Sequence, residues 1–254
     1  MVQRGPTGPQ APPAVQRVRV RYAKRGRLRF TSHRDFARAF ERALRRAAVP
    51  MAYSSGFNPH PRISYLGATP TGVASEAEYL EIGLAQRVDL AALRAELDEA
   101  LPDGLDILDV IEAAGGPLAD RMQASHWRIE LPGITTEGAG SAVQALLATD
   151  SVLVTRLIKD GRREIDARAP IVSLIVANVA SDPDQGPCAI LDLVVRQVTP
   201  TVRPDDVLAA LTRVAGLALT VSPIAVRLAQ GPLDEFGQLG DPFALDRAAL
   251  ESSL

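Results

Sequence analysis

The chain has 254 residues, 46% hydrophobic and 23% charged, with a net charge of −2, enough apolar material for one large core or two smaller ones. No apolar run approaches the ~20 residues that a bilayer-spanning helix needs, and the opening "MVQRGPTGPQAPPAV" lacks the apolar centre of a secretory signal. The single cysteine, Cys188, excludes an internal disulfide and an iron–sulfur cluster ligated by this chain's own thiolates, and a reduced thiol in the cytoplasm is the expected setting.

Residues 1–14 are rich in proline and glycine and are expected to form a disordered arm. "RVRVRY" follows, with Val18, Val20 and Tyr22 alternating against Arg17, Arg19 and Arg21, a strand with one apolar and one cationic face. "TSHRDFARAFERALRRAAV" has helical periodicity. Ser32 is its N-cap and Pro50 its stop, with Phe36, Phe40, Ala43 and Leu44 on the apolar side and Arg34, Arg38, Arg42 and Arg45 opposite. A strand around Ile63–Leu66, a "TPTG" turn and the strand "EYLEIGL" come next. The helix "VDLAALRAELDEAL", capped by Asp89 and stopped by Pro102, then leads to the strand "LDILDVIEA".

After Gly115-Gly116-Pro117 the order repeats. "HWRIELP" reads as a strand, "GSAVQALLAT" as a helix and "VLVTRLIKDGRREIDA" as a hairpin turning at Asp160–Gly161. Two apolar strands follow, "IVSLIVANV" and "AILDLVVRQV". The helix "RPDDVLAALTRVAG" has Pro204 in its first turn and Gly216 as its C-cap, and "LTVSPIAVRLA" reads as an edge strand because of its proline. The expected fold is α+β: two tandem ferredoxin-like βαββαβ units at 15–115 and 124–230, the second with one strand in excess. Residues 231–254 are expected to be mostly disordered, with 243–250 able to form a turn of helix.

Charge is unevenly distributed. Residues 17–46 hold twelve Lys and Arg against Asp35 and Glu41, while 76–112 hold eleven Asp and Glu against Arg87 and Arg94. The cationic run therefore needs an anion, either the chain's own acidic segment or a phosphate backbone. Arg17, Arg19 and Arg21 on the strand and Arg34, Arg38, Arg42 and Arg45 on the helix are the candidate RNA-binding residues. On a ferredoxin-like sheet the strand arginines would line the face away from the helices, the face that RNA-recognition modules use. No aromatic residue alternates with them to stack on bases.

The loop "SSGFNPHPRIS" (54–64) contains Asn58, His60 and Arg62, side chains that a turn does not require. If the strand after the first helix starts near Ala52–Ser54, the loop returns beside "TSHRD" and forms a cleft of His33, Asn58, His60 and Arg62 with Arg34. If it starts only at Ile63, the loop lies at the far end of the helix. Convergence in a phosphate- or carboxylate-binding cleft is the expectation. Two histidines and no thiols are a thin metal-ligand set, so neither a metal nor a catalytic residue is assigned.

The series "SHRD…FERALRRA…GFNPHP…EYLEI" within 26–84, with "KDGRREIDAR" and "VRPDDVL" later, resembles the radical-SAM-linked protein family, in its stand-alone form. The resemblance spans about 15–230, and Arg34 departs from the Leu usual there. It implies partnership with a radical SAM enzyme of the B12-binding type on a separate chain, in a setting near RNA metabolism, and supplies no catalytic residue. The expected function is a non-catalytic accessory or substrate-recognition protein without a cofactor of its own, which holds RNA or another anion on its basic face. The iron–sulfur cluster and cobalamin would belong to the partner. The alternatives are an RNA-modifying or other enzyme with a His33/His60 pocket, and a protein–protein adaptor that binds no nucleic acid. No membrane association is expected.

Overall fold

Val18, Val20 and Tyr22 of β1 (Gln16–Lys24) are buried on one side of their strand, as the alternation requires. The computed structural model describes residues 10–159, 161–177 and 186–252, which fall into two units, Met1–Pro117 with Phe243–Leu254 and Leu118–Pro242. Each unit is α+β.

The first unit continues through α1 (His33–Arg46), β2 (Ile63–Leu66), β3 (Ala74–Leu84), α2 (Leu90–Ala100) and β4 (Ile107–Glu112). Its strands lie in the order β4-β1-β3-β2, and every neighbouring pair is antiparallel. Ser32 Oγ accepts the Asp35 N–H at 3.2 Å and starts α1, and Asp89 Oδ1 accepts the Ala92 N–H at 2.8 Å and starts α2. Phe36, Phe40 and Leu44 of α1 and Leu93 and Leu97 of α2 bury their apolar stripes against Val18, Val20, Leu80 and Ile82. The Phe36 ring stacks on Tyr22 at 4.2 Å between centroids.

The opposite face of this sheet carries α5 (Ala244–Glu251). Residues 231–254, expected to be mostly disordered, instead carry a helix and several buried anchors over their described length. Leu233 bridges Leu239 within the second unit, and Phe243 and Asp246 are buried in the first. The ring of Phe243 meets Tyr79 edge-on at 5.5 Å, an apolar anchor that the surrounding polar and proline-rich sequence obscures. The N-terminal arm needs the same correction from residue 10 onward, because Ala11 N–H donates to Ser55 Oγ at 3.0 Å; residues 1–9 of that arm lie outside the described residues.

The second unit runs β5 (Ala124–Pro132), α3 (Thr136–Leu147), β6 (Leu153–Ile158), β7 (Gly161–Asp166), β8 (Ile171–Val176), β9 (Cys188–Arg196), α4 (Pro204–Ala215) and β10 (Ile224–Gly231). Its sheet order is β10-β5-β9-β8, antiparallel throughout, with β6 and β7 paired as a separate hairpin. That hairpin puts two strands in excess of the first unit's four, where the sequence led to an expectation of one; Asp160 in its turn lies outside the described residues. Pro223 precedes β10 rather than interrupting it, so every residue of that strand keeps its backbone N–H. Cys188 is half-buried at the first position of β9.

Candidate functional site

The cationic run of the first unit divides into two populations. Arg17, Arg19 and Arg25 pair with carboxylates within the unit, and Arg21 bonds a backbone carbonyl there. Arg17 lies 2.5 Å from Glu81. Arg19 is completely buried; its Nε donates to Glu81 at 3.1 Å, its Nη1 to both Asp246 oxygens at 2.5 and 2.7 Å, and its Nη2 to the Gly116 carbonyl at 2.6 Å. Arg21 Nε donates to the Glu76 carbonyl at 2.8 Å, and Arg25 pairs with Glu76 and Asp106. The open RNA-facing surface expected of Arg17, Arg19 and Arg21 is therefore absent. A guanidinium at the centre of a covered sheet face must be paired, and α5 supplies both the cover and the carboxylate. Only Arg17 of the three remains exposed, with Glu81 as its partner.

Arg34, Arg38, Arg42 and Arg45 differ. All four are exposed on α1, and none has an ion pair among the described residues. The acidic helix α2 does not neutralise them: where the two helices meet, Arg46 donates to the Ala100 carbonyl at 3.1 Å. Glu81 of the acidic segment pairs with Arg17 and Arg19, Asp246 of α5 takes the rest of Arg19, and the helix residues face solvent.

Loop 54–62 is held at its neck and closed above it. Ala52 N–H donates to Gly83 O, Gly83 N–H to Arg62 O and Arg62 N–H to Ala52 O, at 2.8, 2.9 and 2.8 Å. Gly83 suits this knot, since a Cβ there would come within 3.1 Å of Ala14 Cβ and 3.3 Å of Arg62 Cβ. Ser54 N–H donates to the His60 carbonyl at 2.8 Å, and His60 N–H donates to Ser54 Oγ at 3.0 Å. Gly56 turns the chain at φ 120°. Phe57, Asn58 and His60 project into solvent, while Arg62 is half-buried and donates from Nε to the Tyr53 carbonyl at 3.0 Å.

The expected cleft does not form. Pro59 and Pro61 lack the N–H groups a ladder needs, so β2 begins at Ile63 and the loop stands against the last turns of α1. His33 is the first residue of α1, edge-on to Tyr65 at 4.9 Å, ~20 Å away along the helix by its rise per residue. Asn58, His60 and Arg62 therefore do not meet His33 or Arg34, and a His33/His60 pocket has no geometric basis.

The loop instead walls a groove of about 390 Å³ with Glu41, Leu44, Arg45, Ala48, Val49 and Met51 on one side and Tyr53, Pro59 and Pro61 on the other. Tyr53 is 47% exposed, and Phe57, between the lining residues Tyr53 and Pro59, is 80% exposed. Glu41 has no ion pair among the described residues. Its charge acts on Tyr65, whose hydroxyl is buried without a hydrogen-bond partner; burial first, and then Glu41, push the phenol up to about 12. Sequence reasoning missed Glu41, Tyr53, Phe57 and Asp246. The concentration of aromatics between Tyr22 and Tyr79 was the available signal for Tyr53 and Phe57, and none pointed to Asp246.

In the second unit His126 Nε2 lies 3.3 Å from Asp192 Oδ1, which also faces Arg128 Nε at 3.5 Å. Arg162, Arg163 and Lys159 of the hairpin are exposed. Among the described residues no group of three or more His, Cys, Asp or Glu is placed to hold a metal ion, and no helix is long and apolar enough to cross a membrane.

The family model described as "Uncharacterized protein conserved in bacteria (DUF2344)" matches residues 17–204, and the chain belongs to that family. No curated protein matches the sequence. Among solved structures, a chain from the crystal structure of a Cbf5-Nop10-Gar1 complex is similar, with a TM-score of 0.48 and 11% identity. The match covers 92% of this chain and 56% of that one, so the chain spans little more than half the length of that relative.

Proposed function

We propose that this member of the DUF2344 family is a non-catalytic accessory protein that holds RNA for a radical SAM enzyme of the B12-binding type carried on a separate chain. One observation carries the RNA half: Arg34, Arg38, Arg42 and Arg45 lie exposed along one helix without an ion pair among the described residues. Four like charges over ~16 Å of helix repel one another unless an anion meets them, and a phosphate chain offers charges in series. The motif series within 26–84 and its likeness to the radical-SAM-linked family support the partner. The single Cys188 falls short of the several thiolates a cluster needs, which supports a division of labour with the radical chemistry on the other chain. The serial order fourth-first-third-second among the sheet strands of each unit, the β6–β7 hairpin apart, supports reading each unit as ferredoxin-like.

The test is fluorescence anisotropy of a labelled RNA across a salt series, with wild type and the triple variant Arg38→Glu, Arg42→Glu, Arg45→Glu. Binding in the micromolar range or weaker, steeply reduced by salt and lost in the variant, is expected. Binding that is absent at low salt, or indifferent to the three reversals, refutes it. For the partner, affinity purification from the native host should recover a radical SAM protein; its consistent absence removes that half of the proposal.

A further inference from the structure

From the groove between α1 and loop 54–62 we infer a nucleobase-stacking subsite, which makes the preferred ligand a single-stranded RNA segment rather than a duplex. This rests on the RNA reading above and deepens it. A solvated arginine face alone attracts any polyanion and carries no preference for strandedness. Tyr53 lines the groove with Arg45, however, and the loop that walls it displays Phe57, two aromatic rings that a folded protein ordinarily hides. Tyr53 is 47% exposed and Phe57 is 80% exposed. Neither results from a loose loop, since Ser54 and His60 bond reciprocally at 2.8 and 3.0 Å and the neck is locked through Gly83. Rings presented on a pinned loop lose little conformational freedom when a flat partner settles on them.

The groove's dimensions and chemistry fit such a partner. About 390 Å³ lies in the range of small-ligand pockets. Its walls are the flat rings of Tyr53, Pro59 and Pro61 and the aliphatic surface of Leu44, Val49 and Met51. Arg45 lines the same groove and belongs to the unpaired arginine face, so a phosphate held there leaves its base facing the proline and tyrosine wall. Glu41, also lining the groove and without an ion pair, would repel phosphate but accepts a hydrogen bond from an exocyclic amino group. Bases with such a group, cytosine above all, are favoured over uracil. A duplex keeps its bases stacked inside and cannot offer a face to this wall.

The experiment compares a single-stranded cytidine-rich RNA oligomer, the same sequence annealed as a duplex, and a uridine oligomer of equal length, each against the full chain. The variants are Phe57→Ala, Tyr53→Ala and Glu41→Gln; both aromatics are exposed, and circular dichroism and thermal unfolding verify that each variant is folded. The single strand should bind more tightly than the duplex, and each aromatic substitution should weaken it roughly five- to hundredfold while leaving duplex binding unchanged. Glu41→Gln should narrow the gap between the cytidine and uridine oligomers. Photo-crosslinked nucleotide should map to residues 52–62. Equal affinity for both strand states, with neither ring mattering, overturns the subsite; if the arginine reversals still abolish that binding, the RNA reading survives without it. If no RNA binds at low salt, both fall.

Discussion

Asp246→Ala tests the most consequential contact in the first unit. The wild-type carboxylate is completely buried, accepts both short bonds from Arg19 Nη1 at 2.5 and 2.7 Å, and accepts the Ala114 N–H at 2.8 Å. Removing one member of a buried ion pair costs ~3–5 kcal/mol, because the remaining charge stays desolvated. Arg19 retains Glu81 at 3.1 Å and the Gly116 carbonyl at 2.6 Å, which places the expected loss near the lower limit, about 3 kcal/mol. At about 4 °C per kcal/mol for a unit of this size, the first unit's melting temperature should fall by ~12 °C. Urea unfolding followed by circular dichroism measures the loss, and hydrogen exchange should show α5 opening first. The double variant Arg19→Met, Asp246→Leu should recover a substantial part of it, since neither charge of this pair is then buried. A single variant within about 1 kcal/mol of wild type, or single and double changes that simply add, would refute the view that this pair fastens the C-terminal helix to the sheet.

Tyr65→Phe should be neutral or slightly stabilising at pH 7, because the hydroxyl it removes is buried without a partner. The folded phenol is raised from its ordinary 10.0 to about 12, so its contribution is fully present below pH 10 and lost as pH rises from there through 12. Alkaline unfolding of wild type should therefore steepen in that window and that of the variant should not, with tyrosinate absorbance as the direct readout; identical profiles would reject the assignment. In the second unit, Asp206 accepts the Arg203 N–H at 2.7 Å, capping α4, and pairs with Arg156 of β6. Asp206→Ala should cost roughly 3 kcal/mol through the lost cap and the stranded guanidinium, and Asp206→Asn, which keeps the acceptor, should cost distinctly less by the same denaturant titration.

Local periodicity settled much of this protein without a structure. The alternation of Val18, Val20 and Tyr22, the stripe of Phe36, Phe40 and Leu44, and the caps at Ser32 and Asp89 each depend on neighbours within a turn or two, and all appear where the pattern puts them. Pro59 and Pro61 were legible too, but their effect on the start of β2, and so on which end of α1 receives His60, depended on where the ladder could recruit N–H groups. The arginines show the limit most clearly. Arg19 and Arg38 are equivalent as letters in a cationic run, yet one is fully buried and the other exposed. The difference is made by Asp246, 227 residues along the chain from Arg19, brought back by a helix whose anchor is the burial of Phe243. Charge attraction acts through space and leaves no periodic trace in sequence, so only the folded chain decided which cations were spent on the protein itself and which stay exposed.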